Sequence, residues 1–410
     1  MQYQRTVLDN GIRIISEELN HVRSASIGFW FRTGSRNERP EQAGLSHLIE
    51  HLTFKGTAKR SAKDIAVAFD TLGGQVNAVT SKEYTCYYAK ILDEHFATAV
   101  EVLADMILNS TYQEDLLERE KGVVLEEIKM YEDSPDELVH DLFNEAVFAH
   151  HPLGRPILGT EETLRSFSQD DIWEYRKARY TPDNLVVAVA GHVDHATVVK
   201  EVERYFGGWQ GEKKGEPKDI PPYRPSNLKR TKDIEQAHII LGVPGLSRVD
   251  SRKYALFLLD NILGGGMSSR LFQELREERG MVYTTYSYHA AYYDSGVFGV
   301  YAGTSPDRVD EVRAIVEEQF ADIANNGVTE EELSRSKEQL KGSLMLGLEN
   351  TSSRMGRLGK GELFGETIKT PSELVEIVNK ITGEEVAKVA REVLAQELSS
   401  ALVLPGKGSA

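Results

Sequence analysis

Two histidines and a glutamate stand close together near the start of the sequence, in the pentad His47-Leu48-Ile49-Glu50-His51. In a helix, residues i and i+4 lie on one face, so both imidazoles can direct a nitrogen at one ion, and neutral imidazole suits zinc. Glu50 lies one turn from His47 and is placed to take a proton from water at that ion. The pentad therefore predicts a catalytic zinc site. The alternative is a solvated helix face that carries two spare histidines.

The helix predicted around the pentad can pack against a core and still present its polar side chains. At 100° per residue its apolar side chains form one stripe, which consists of Leu45, Leu48, Ile49 and Leu52. The two histidines and Glu50 lie on the opposite face. The sequence thus predicts an amphipathic helix whose polar face carries the metal-binding residues.

A catalytic zinc usually has three protein ligands and one open position, so a third ligand is expected elsewhere in the chain. The stretch Glu114–Glu132 has helical periodicity, and its predicted apolar face consists of Leu116, Leu117, Val123, Val124, Ile128, Met130 and Tyr131. Glu120 and Glu127 fall near the centre of that face, whereas Glu126 points away. A carboxylate among apolar neighbours is costly unless it is paired or coordinated, and a metal would supply one such partner. The alternative is a wide amphipathic helix whose glutamates reach solvent or pair with Arg or Lys.

Length, charge and cysteine content exclude several classes of protein. The 410 residues suffice for two to three domains at roughly 100 to 200 residues each. With 48 Lys and Arg against 64 Asp and Glu, the net charge is −16, and such an acidic surface would repel nucleic acid. Cys86 is the sole cysteine, which excludes an intrachain disulfide and a multi-cysteine metal site and fits a reducing compartment.

The sequence shows no sign of export or membrane insertion. Its first residues, Met1 to Asn10, have no basic cap followed by an apolar stretch. The longest apolar run, Leu185–Ala190, is far shorter than the roughly 20 residues that cross a bilayer. We expect a cytoplasmic protein with no membrane or nucleic-acid partner. Export without a leader is the alternative.

A segment rich in proline, glycine and charged residues, from Gly211 to Pro225, separates two patterned regions. We place the domain boundary there. The predicted domains are an N-terminal zinc-binding α+β domain over 1–213 and a C-terminal α+β domain over 231–410, joined by a linker over 214–230.

Both halves follow the same order of elements. Each begins with a β-like run and a helix-like segment, continues with a second β-like run, and ends in an apolar strand. The runs are Ser26–Phe31, Thr85–Ile91 and Leu185–Ala190 in the first half, and Ala237–Gly242, Val297–Ala302 and Ala401–Leu404 in the second. A duplicated α+β unit explains this order economically. The alternative is two unrelated α+β domains.

The pentad is followed after 75 intervening residues by Glu127, within the segment Glu120–Glu127. This pattern resembles the pitrilysin-type metallopeptidases, the M16 family of inverted zincins. The chain is most similar to their two-domain bacterial members, which are similar to the catalytic subunit of the mitochondrial processing peptidase. The segment Gly73–Ala78 supports the resemblance, as do Arg276 and Tyr283, seven residues apart.

The resemblance implies an α+β fold of two duplicated domains, each a mostly antiparallel sheet packed with helices, in the LuxS/processing-peptidase-like metallohydrolase fold. It also implies that His47, His51 and Glu127 bind zinc and that Glu50 is the general base. Glu120 would support the metal ligands without itself binding the ion.

Substrate contacts are implied on both domains. Asn77 and Ala78 would pair with the backbone of an extended peptide, since an added strand satisfies main-chain hydrogen bonds without reading sequence. Arg276 and Tyr283 would reach the scissile region from the second domain, and Tyr283 would stabilise the oxyanion.

The second half departs from the catalytic pattern. Where a second metal helix is expected, Leu258–Leu263 has no histidine, so we expect one zinc per chain. Leu263–Ser269 resembles the glycine-rich loop of noncatalytic partners in the family, so one chain can carry both functions. That favours a homodimer, with a heterodimer as the alternative.

The predicted function is a zinc-dependent endopeptidase that hydrolyses short or unfolded polypeptides bound in extended form between the two domains. The first alternative is a noncatalytic scaffold or partner subunit of the same fold. The second is a metal hydrolase that acts on a non-peptide substrate.

Overall fold

A computed structural model describes residues 3–211 and 220–406. These residues pack into two units. Unit 1 takes the described parts of Met1–Ile128, Pro156–Lys218 and Leu346–Thr370. Unit 2 takes the described parts of Lys129–Arg155, Asp219–Met345 and Pro371–Ala410.

The described residues form two β-sheets. The strands are β1 (Tyr3–Val7), β2 (Arg13–Glu18), β3 (Ser24–Phe31), β4 (Gln75–Thr80), β5 (Thr85–Leu92), β6 (Leu185–Gly191), β7 (Asn227–Lys232), β8 (Ala237–Pro244), β9 (Val282–Ala291), β10 (Gly296–Thr304) and β11 (Ser399–Pro405). The order is β1-β2-β6-β3-β5-β4 in unit 1 and β7-β11-β8-β10-β9 in unit 2.

The two sheets repeat one topology, which confirms the predicted duplication of an α+β unit. Apart from β1, each sheet has the same strand order, with β2 and β6 equivalent to β7 and β11. That pair is parallel in each sheet, and every other described pairing is antiparallel.

The helices repeat in the same way, because five of them separate β5 from β6 and five separate β10 from β11. The helices are α1 (Leu45–Thr53), α2 (Ala62–Thr71), α3 (Phe96–Asn109), α4 (Glu114–Glu132), α5 (Pro135–Phe148), α6 (Glu161–Ser166), α7 (Gln169–Arg179), α8 (His195–Phe206), α9 (Lys253–Gly264), α10 (Val309–Asn326), α11 (Glu330–Gly347), α12 (Thr351–Phe364), α13 (Pro371–Lys380) and α14 (Gly383–Leu394). Across the described ranges, no helix is both long enough and apolar enough to cross a membrane.

Both faces of the unit 1 sheet are covered, which explains why its central strands read as continuous apolar runs. In β6, Leu185, Val187 and Val189 join the larger core, while Val186, Ala188 and Ala190 join a smaller core on the other face. The smaller core is completed by Met355, Leu358, Leu363 and Phe364 of α12.

Unit 2 is built in the same way around β8 and β10. One face of its sheet packs in a core with α9, α10 and α14. The other face is covered by α5, through Leu138, Val139, Leu142, Phe143, Val147 and Phe148. An isolated helix of 14 residues is marginal in water, so α5 depends on this docking.

The packing of α5 and α12 divides the chain differently from the predicted domains. Helix α5 lies inside the predicted N-terminal domain, 1–213, but packs in unit 2, and α12 lies inside the predicted C-terminal domain, 231–410, but packs in unit 1. Hydrophobic periodicity shows that a helix has an apolar face but not which sheet the face covers.

The predicted linker over 214–230 also needs correction. Its residues 214–219 lie outside the described residues, and its last residues belong to β7, which begins at Asn227. Strand β7 lies at the end of its sheet and has one apolar side chain, Leu228, among polar and charged ones, so it lacks the apolar run by which a central strand is recognised.

The helix predicted over Glu114–Glu132 is confirmed as α4 with those bounds, but its buried face is narrower than predicted. The predicted face included Val123, Met130 and Tyr131, which are exposed. The buried residues of α4 are Leu117, Glu120, Lys121 and Val124. Glu126 is exposed, as predicted.

Gly242 of β8 provides a test of how closely α5 packs on its sheet. A Cβ atom at this position would lie 2.3 Å from the carbonyl oxygen of Phe298 and 2.6 Å from Cζ of Phe143 in α5. We therefore expect Gly242→Ala to lower the free energy of unfolding by about 1–3 kcal/mol, measured by urea denaturation.

The matched control is Gly342→Ala in α11, where a Cβ would meet nothing within 4 Å. This change should raise stability by up to about 1 kcal/mol, because alanine is the better helix former. Equal effects of the two substitutions would contradict the close approach of α5.

Candidate metal centre

The metal-binding residues of the pentad lie on α1, and the first turn of this helix is held by a carboxylate. Glu38 accepts two backbone hydrogen bonds, from the N–H of Gly44 to Oε2 (2.9 Å) and from the N–H of Ser46 to Oε1 (2.7 Å). The first N–H groups of a helix have no partner within the helix, and a negative charge there also interacts favourably with the helix dipole. Glu38 therefore fixes where α1 begins.

Hydroxyl groups on the inner side of α1 fix its rotation. Ser46 Oγ lies 2.8 Å from the hydroxyl of Tyr175 in α7. Near the other end, Thr53 Oγ1 donates to the carbonyl of Ile49 (2.7 Å) and lies 3.2 Å from the hydroxyl of Tyr87. These groups are buried, so a rotation of α1 would leave them unpaired.

The structure brings together the three predicted metal ligands. Oε2 of Glu127, on α4, lies 3.7 Å from Nε2 of His47 and 3.6 Å from Nε2 of His51. One possible ligand atom from each residue lies within 4.8 Å of the others. Among residues 3–211 and 220–406, this is the one group of three or more His, Cys, Asp or Glu side chains with such spacing.

These distances fit a tetrahedral zinc ion. Two ligand atoms that are each about 2.1 Å from zinc at the tetrahedral angle lie about 3.4 Å apart. The observed separations are too long for hydrogen bonds between the same atoms. The cluster therefore has the spacing of a ligand set rather than that of a hydrogen-bonded network.

The protonation state of His47 also favours metal binding. Burial, with a smaller contribution from the neighbouring His51, lowers the pKa of His47 to about 4, so His47 is neutral at pH 7. Its Nδ1 is buried and has no hydrogen-bond partner among the described residues. A neutral imidazole is the form that binds a metal, and here it lies against a carboxylate that a cation would stabilise.

Glu120 supports His51 from the other side of the ring. Its Oε2 lies 3.4 Å from Nδ1 of His51, and its Oε1 accepts a hydrogen bond from Nζ of Lys55 at 2.9 Å. A proton held on Nδ1 by a carboxylate leaves Nε2 with a free lone pair, the arrangement common in histidines that bind zinc. The buried carboxylate of Glu120 thus has two partners and is oriented by both.

Glu50, the predicted general base, contacts strand β4. The hydroxyl of Thr80 donates a hydrogen bond to Oε2 of Glu50. Burial raises the pKa of Glu50 above its ordinary value, and the hydrogen bonds from Thr80 oppose that rise. Glu50 is therefore held beside the ligand cluster in a partly desolvated position.

The predicted substrate-pairing residues Asn77 and Ala78 lie in β4, the last strand in the order of the unit 1 sheet. The N–H of Ala78 donates to Oδ1 of Asn77 at 2.8 Å. Ala78 is half-buried against the core, whereas Asn77 is exposed. At this edge of the sheet the backbone N–H of Ala78 is therefore already hydrogen bonded to the side chain of its neighbour, Asn77.

Arg276 and Tyr283 belong to unit 2 and contact one another. Arg276 lies in a π-helical turn, Phe272–Glu278, with its guanidinium carbon 4.8 Å from the ring centre of Phe272 and 5.4 Å from that of Tyr283. The side chain of Tyr283 is exposed. The role of both residues at the metal group stays a prediction.

Three residues of the site were absent from the sequence-based prediction: Glu38, Lys55 and Thr80. Lys55 could have been found, because it continues the spacing of His47 and His51 by four more residues. Thr80 could also have been found, because it shares a strand face with Ala78 in the alternating pattern of β4. Glu38 precedes α1 in an irregular segment, and no sequence pattern pointed to it.

Helix α9 takes the place of α1 in unit 2 and contains no histidine. It does contain Asp260, whose pKa is raised to about 6 by burial. Ser287 of β9 donates to the Asp260 carboxylate at 2.5 Å. The equivalent helix therefore carries a desolvated acid in place of metal ligands.

Family models match both halves of the chain. A model described as insulinase (peptidase family M16) matches residues 13–161, the part that contains His47, His51 and Glu127. A model described as peptidase M16 inactive domain matches residues 166–340.

Curated relatives match nearly the whole chain. An uncharacterized zinc protease of Bacillus subtilis, YmxG, is 48% identical over 402 residues, which is 98% of each chain. An uncharacterized zinc protease of Streptomyces coelicolor is 45% identical over 98% of this chain and 90% of its own.

Two solved structures share the fold. A protease from Helicobacter pylori has a TM-score of 0.92 at 22% identity, over 98% of this chain and 99% of its own. A peptidase M16 inactive domain from Pseudomonas fluorescens has a TM-score of 0.93 at 20% identity, over 100% of this chain and 99% of its own.

The raised pKa of Asp260 predicts a pH-dependent stability. The folded state keeps this proton up to about pH 6, whereas an unfolded chain releases it near 3.8, so stability is lost as pH rises from about 4 through 6. Between pH 4 and pH 7 we expect wild type to lose roughly 2–3 kcal/mol of unfolding free energy that Asp260→Asn keeps. Denaturant unfolding at each pH measures this, and parallel pH curves for the two proteins would refute it.

The ligand geometry predicts that zinc stabilises the folded chain. At free zinc of 100 times its dissociation constant, metal-stripped wild type should gain about 2.7 kcal/mol in unfolding free energy. Under the same conditions His51→Ala should gain little, whereas His21→Ala, at an exposed position outside the cluster, should behave as wild type. Calorimetric titration and thermal unfolding measure the effect, and an equal gain in His51→Ala would rule out the site.

Proposed function

The chain belongs to the pitrilysin-type M16 family of peptidases, and we propose that it is a zinc-dependent endopeptidase that hydrolyses short or unfolded polypeptides bound in extended form. The observation that carries the proposal is the ligand cluster of His47, His51 and Glu127 with Glu50 held beside it. A chain that only supports a partner has no chemical need for this set.

We propose one zinc per chain. His47, His51 and Glu127 would hold it, and α9 of unit 2 has no histidine with which to form a second site. When bound, zinc supplies Lewis-acid chemistry, which makes water a stronger acid and a carbonyl carbon a better electrophile.

Glu50 moves the proton. Its carboxylate accepts a proton from the attacking water as the water oxygen forms a bond with the carbonyl carbon. It then gives that proton to the amide nitrogen as the carbon–nitrogen bond breaks. Its raised pKa, which is caused mainly by burial, makes it a better proton acceptor than an ordinary glutamate.

Substrate binding through the backbone fits the edge position of β4. The edge has main-chain groups at Asn77 and Ala78, which an extended peptide can pair with whatever its sequence once it displaces the Asn77 side chain from the Ala78 N–H. A folded protein cannot supply such a free strand, so short or unfolded chains are the expected substrates. Arg276 and Tyr283 remain substrate contacts implied by resemblance.

The competing function is a noncatalytic scaffold or partner subunit. The match of residues 166–340 to a family model described as inactive, together with the absence of histidine from α9, favours such a role for that part of the chain. The cluster in the first half favours catalysis.

For assembly we propose a homodimer, because a single chain carries both the ligand cluster and the glycine-rich segment Leu263–Ser269. Sedimentation of the purified chain would test this.

The first experiment is cleavage of a pool of unstructured peptides by zinc-loaded wild type and Glu50→Gln, with metal content measured in both. We expect Glu50→Gln to keep its zinc and to lose at least about a hundredfold in turnover, because the general base is removed while the ligands stay. Peptide products are measured by mass spectrometry.

Glu126→Gln is the control, since it makes the same change at an exposed carboxylate of α4 next to Glu127. It should keep wild-type turnover. Wild-type activity in Glu50→Gln would disprove the assigned base. Absence of cleavage by zinc-loaded wild type would favour the scaffold, and cleavage of small amides alone would favour a non-peptide hydrolase.

A further inference from the structure

We propose that Thr80 is a positioning residue, which holds the carboxylate of Glu50 in the orientation needed for proton transfer. This inference rests on the proposed function, because it assigns Thr80 a part in the same reaction. Thr80 does not need to touch the substrate; it acts through Glu50.

Thr80 is the last residue of β4 and the buried one in that strand. Side chains alternate along the strand, with Gln75, Asn77 and Val79 exposed and Val76, Ala78 and Thr80 facing the core. The Thr80 hydroxyl therefore points to the same side of the sheet as the core that α1 packs in. From there it donates to Oε2 of Glu50.

The contact is made by the Thr80 hydroxyl, which donates to Oε2 of Glu50. A hydrogen bond to one oxygen of a carboxylate restricts its rotation about the bond to the side chain.

Glu50 needs such support because its carboxylate is partly buried beside the ligand cluster. The hydroxyl of Thr80 donates to it, and Thr80 is not one of the predicted metal ligands. Without this donor, the Glu50 carboxylate would be free to rotate out of alignment.

Thr80 also joins the base to the substrate-binding strand. It follows Ala78 by two residues in β4, and both face the core. A peptide paired along the edge at Asn77 and Ala78 would therefore lie on the same rigid strand that holds the base. The distance between the backbone of the bound peptide and the Glu50 carboxylate would then be set by β4 alone rather than by two separate elements.

The test compares Thr80→Val with Thr80→Ser in the full-length, zinc-loaded protein. Valine has the shape of threonine and keeps the backbone N–H but lacks the hydroxyl; serine restores the hydroxyl. We expect Thr80→Val to lower kcat about ten- to a hundredfold with KM within about twofold of wild type, from the loss of one hydrogen bond to a charged group. Zinc content should equal that of wild type, and Thr80→Ser should recover most of kcat.

The matched control is Thr85→Val. Thr85 pairs with Thr80 across β4 and β5 and is also buried, but its hydroxyl donates to the carbonyl of Thr33 at 2.8 Å rather than to Glu50. The same substitution should therefore lower the melting temperature while kcat stays at the wild-type value. A fall in kcat only for Thr80→Val separates positioning of the base from a general loss of stability.

A measurement independent of activity tests the contact in metal-stripped protein. Thr80→Val should lower the melting temperature more when residue 50 is Glu than in a Glu50→Leu background. Only when residue 50 is Glu does the substitution take a hydrogen-bond donor away from a partly buried carboxylate. Equal losses in both backgrounds, or wild-type kcat in Thr80→Val alongside active wild type, would overturn the inference and leave the proposed function standing. If wild type cleaves no peptide, the proposed function and the assigned role of Thr80 both fail.

Discussion

Three carboxylates and two imidazoles share a small volume of unit 1, and the cost of crowding them governs the structure of the site. Glu50 receives a hydrogen bond from the Thr80 hydroxyl, and Glu120 contacts Nδ1 of His51 and Nζ of Lys55. Glu127 instead faces ring nitrogens that offer it no hydrogen bond at the observed distances. A partly buried carboxylate left in that state is costly unless a cation completes its surroundings. Among the three carboxylates, Glu127 is therefore the one that a bound cation would stabilise.

The repeated topology gives each unit an equivalent helix, and of these two helices α1 contains histidines whereas α9 does not. Each unit has a helix after equivalent strands, α1 after β3 in unit 1 and α9 after β8 in unit 2, and the two sheets share the same order of strands apart from β1. In unit 1 this helix carries two histidines and a glutamate, and in unit 2 it carries the desolvated Asp260. The scaffold accepts polar side chains at this position in both units, because the surrounding core supplies hydroxyl partners such as Ser287.

Local patterns were sufficient to predict the elements of the site but not all of their connections. The spacing of His47 and His51 and the periodicity of α4 depend on a few neighbouring residues, and both are found as expected. The face of α4 was predicted too wide, because apolar residues such as Met130 can be exposed at the surface. Glu38 contacts the start of α1 from a nearby irregular segment, and α5 contacts β8, which is distant in the sequence; neither contact leaves a periodic signal. They depend on tertiary packing, which periodicity does not encode.

Helix α5 packs in unit 2 and α12 packs in unit 1, although each helix lies in the sequence among elements of the other unit. This arrangement affects how the chain folds while it is being synthesised. The last central strand of the unit 1 sheet, β6, is complete at Gly191, but the helix that covers its second face ends at Phe364. At a synthesis rate of roughly 5–20 residues per second, an apolar surface that includes Trp30 and Cys86 remains uncovered for about 10–35 seconds until α12 has been synthesised. During that time the growing chain exposes a large apolar surface to which chaperones and other nascent chains can bind. The metal-binding half therefore cannot finish folding on the ribosome before most of the other half has emerged.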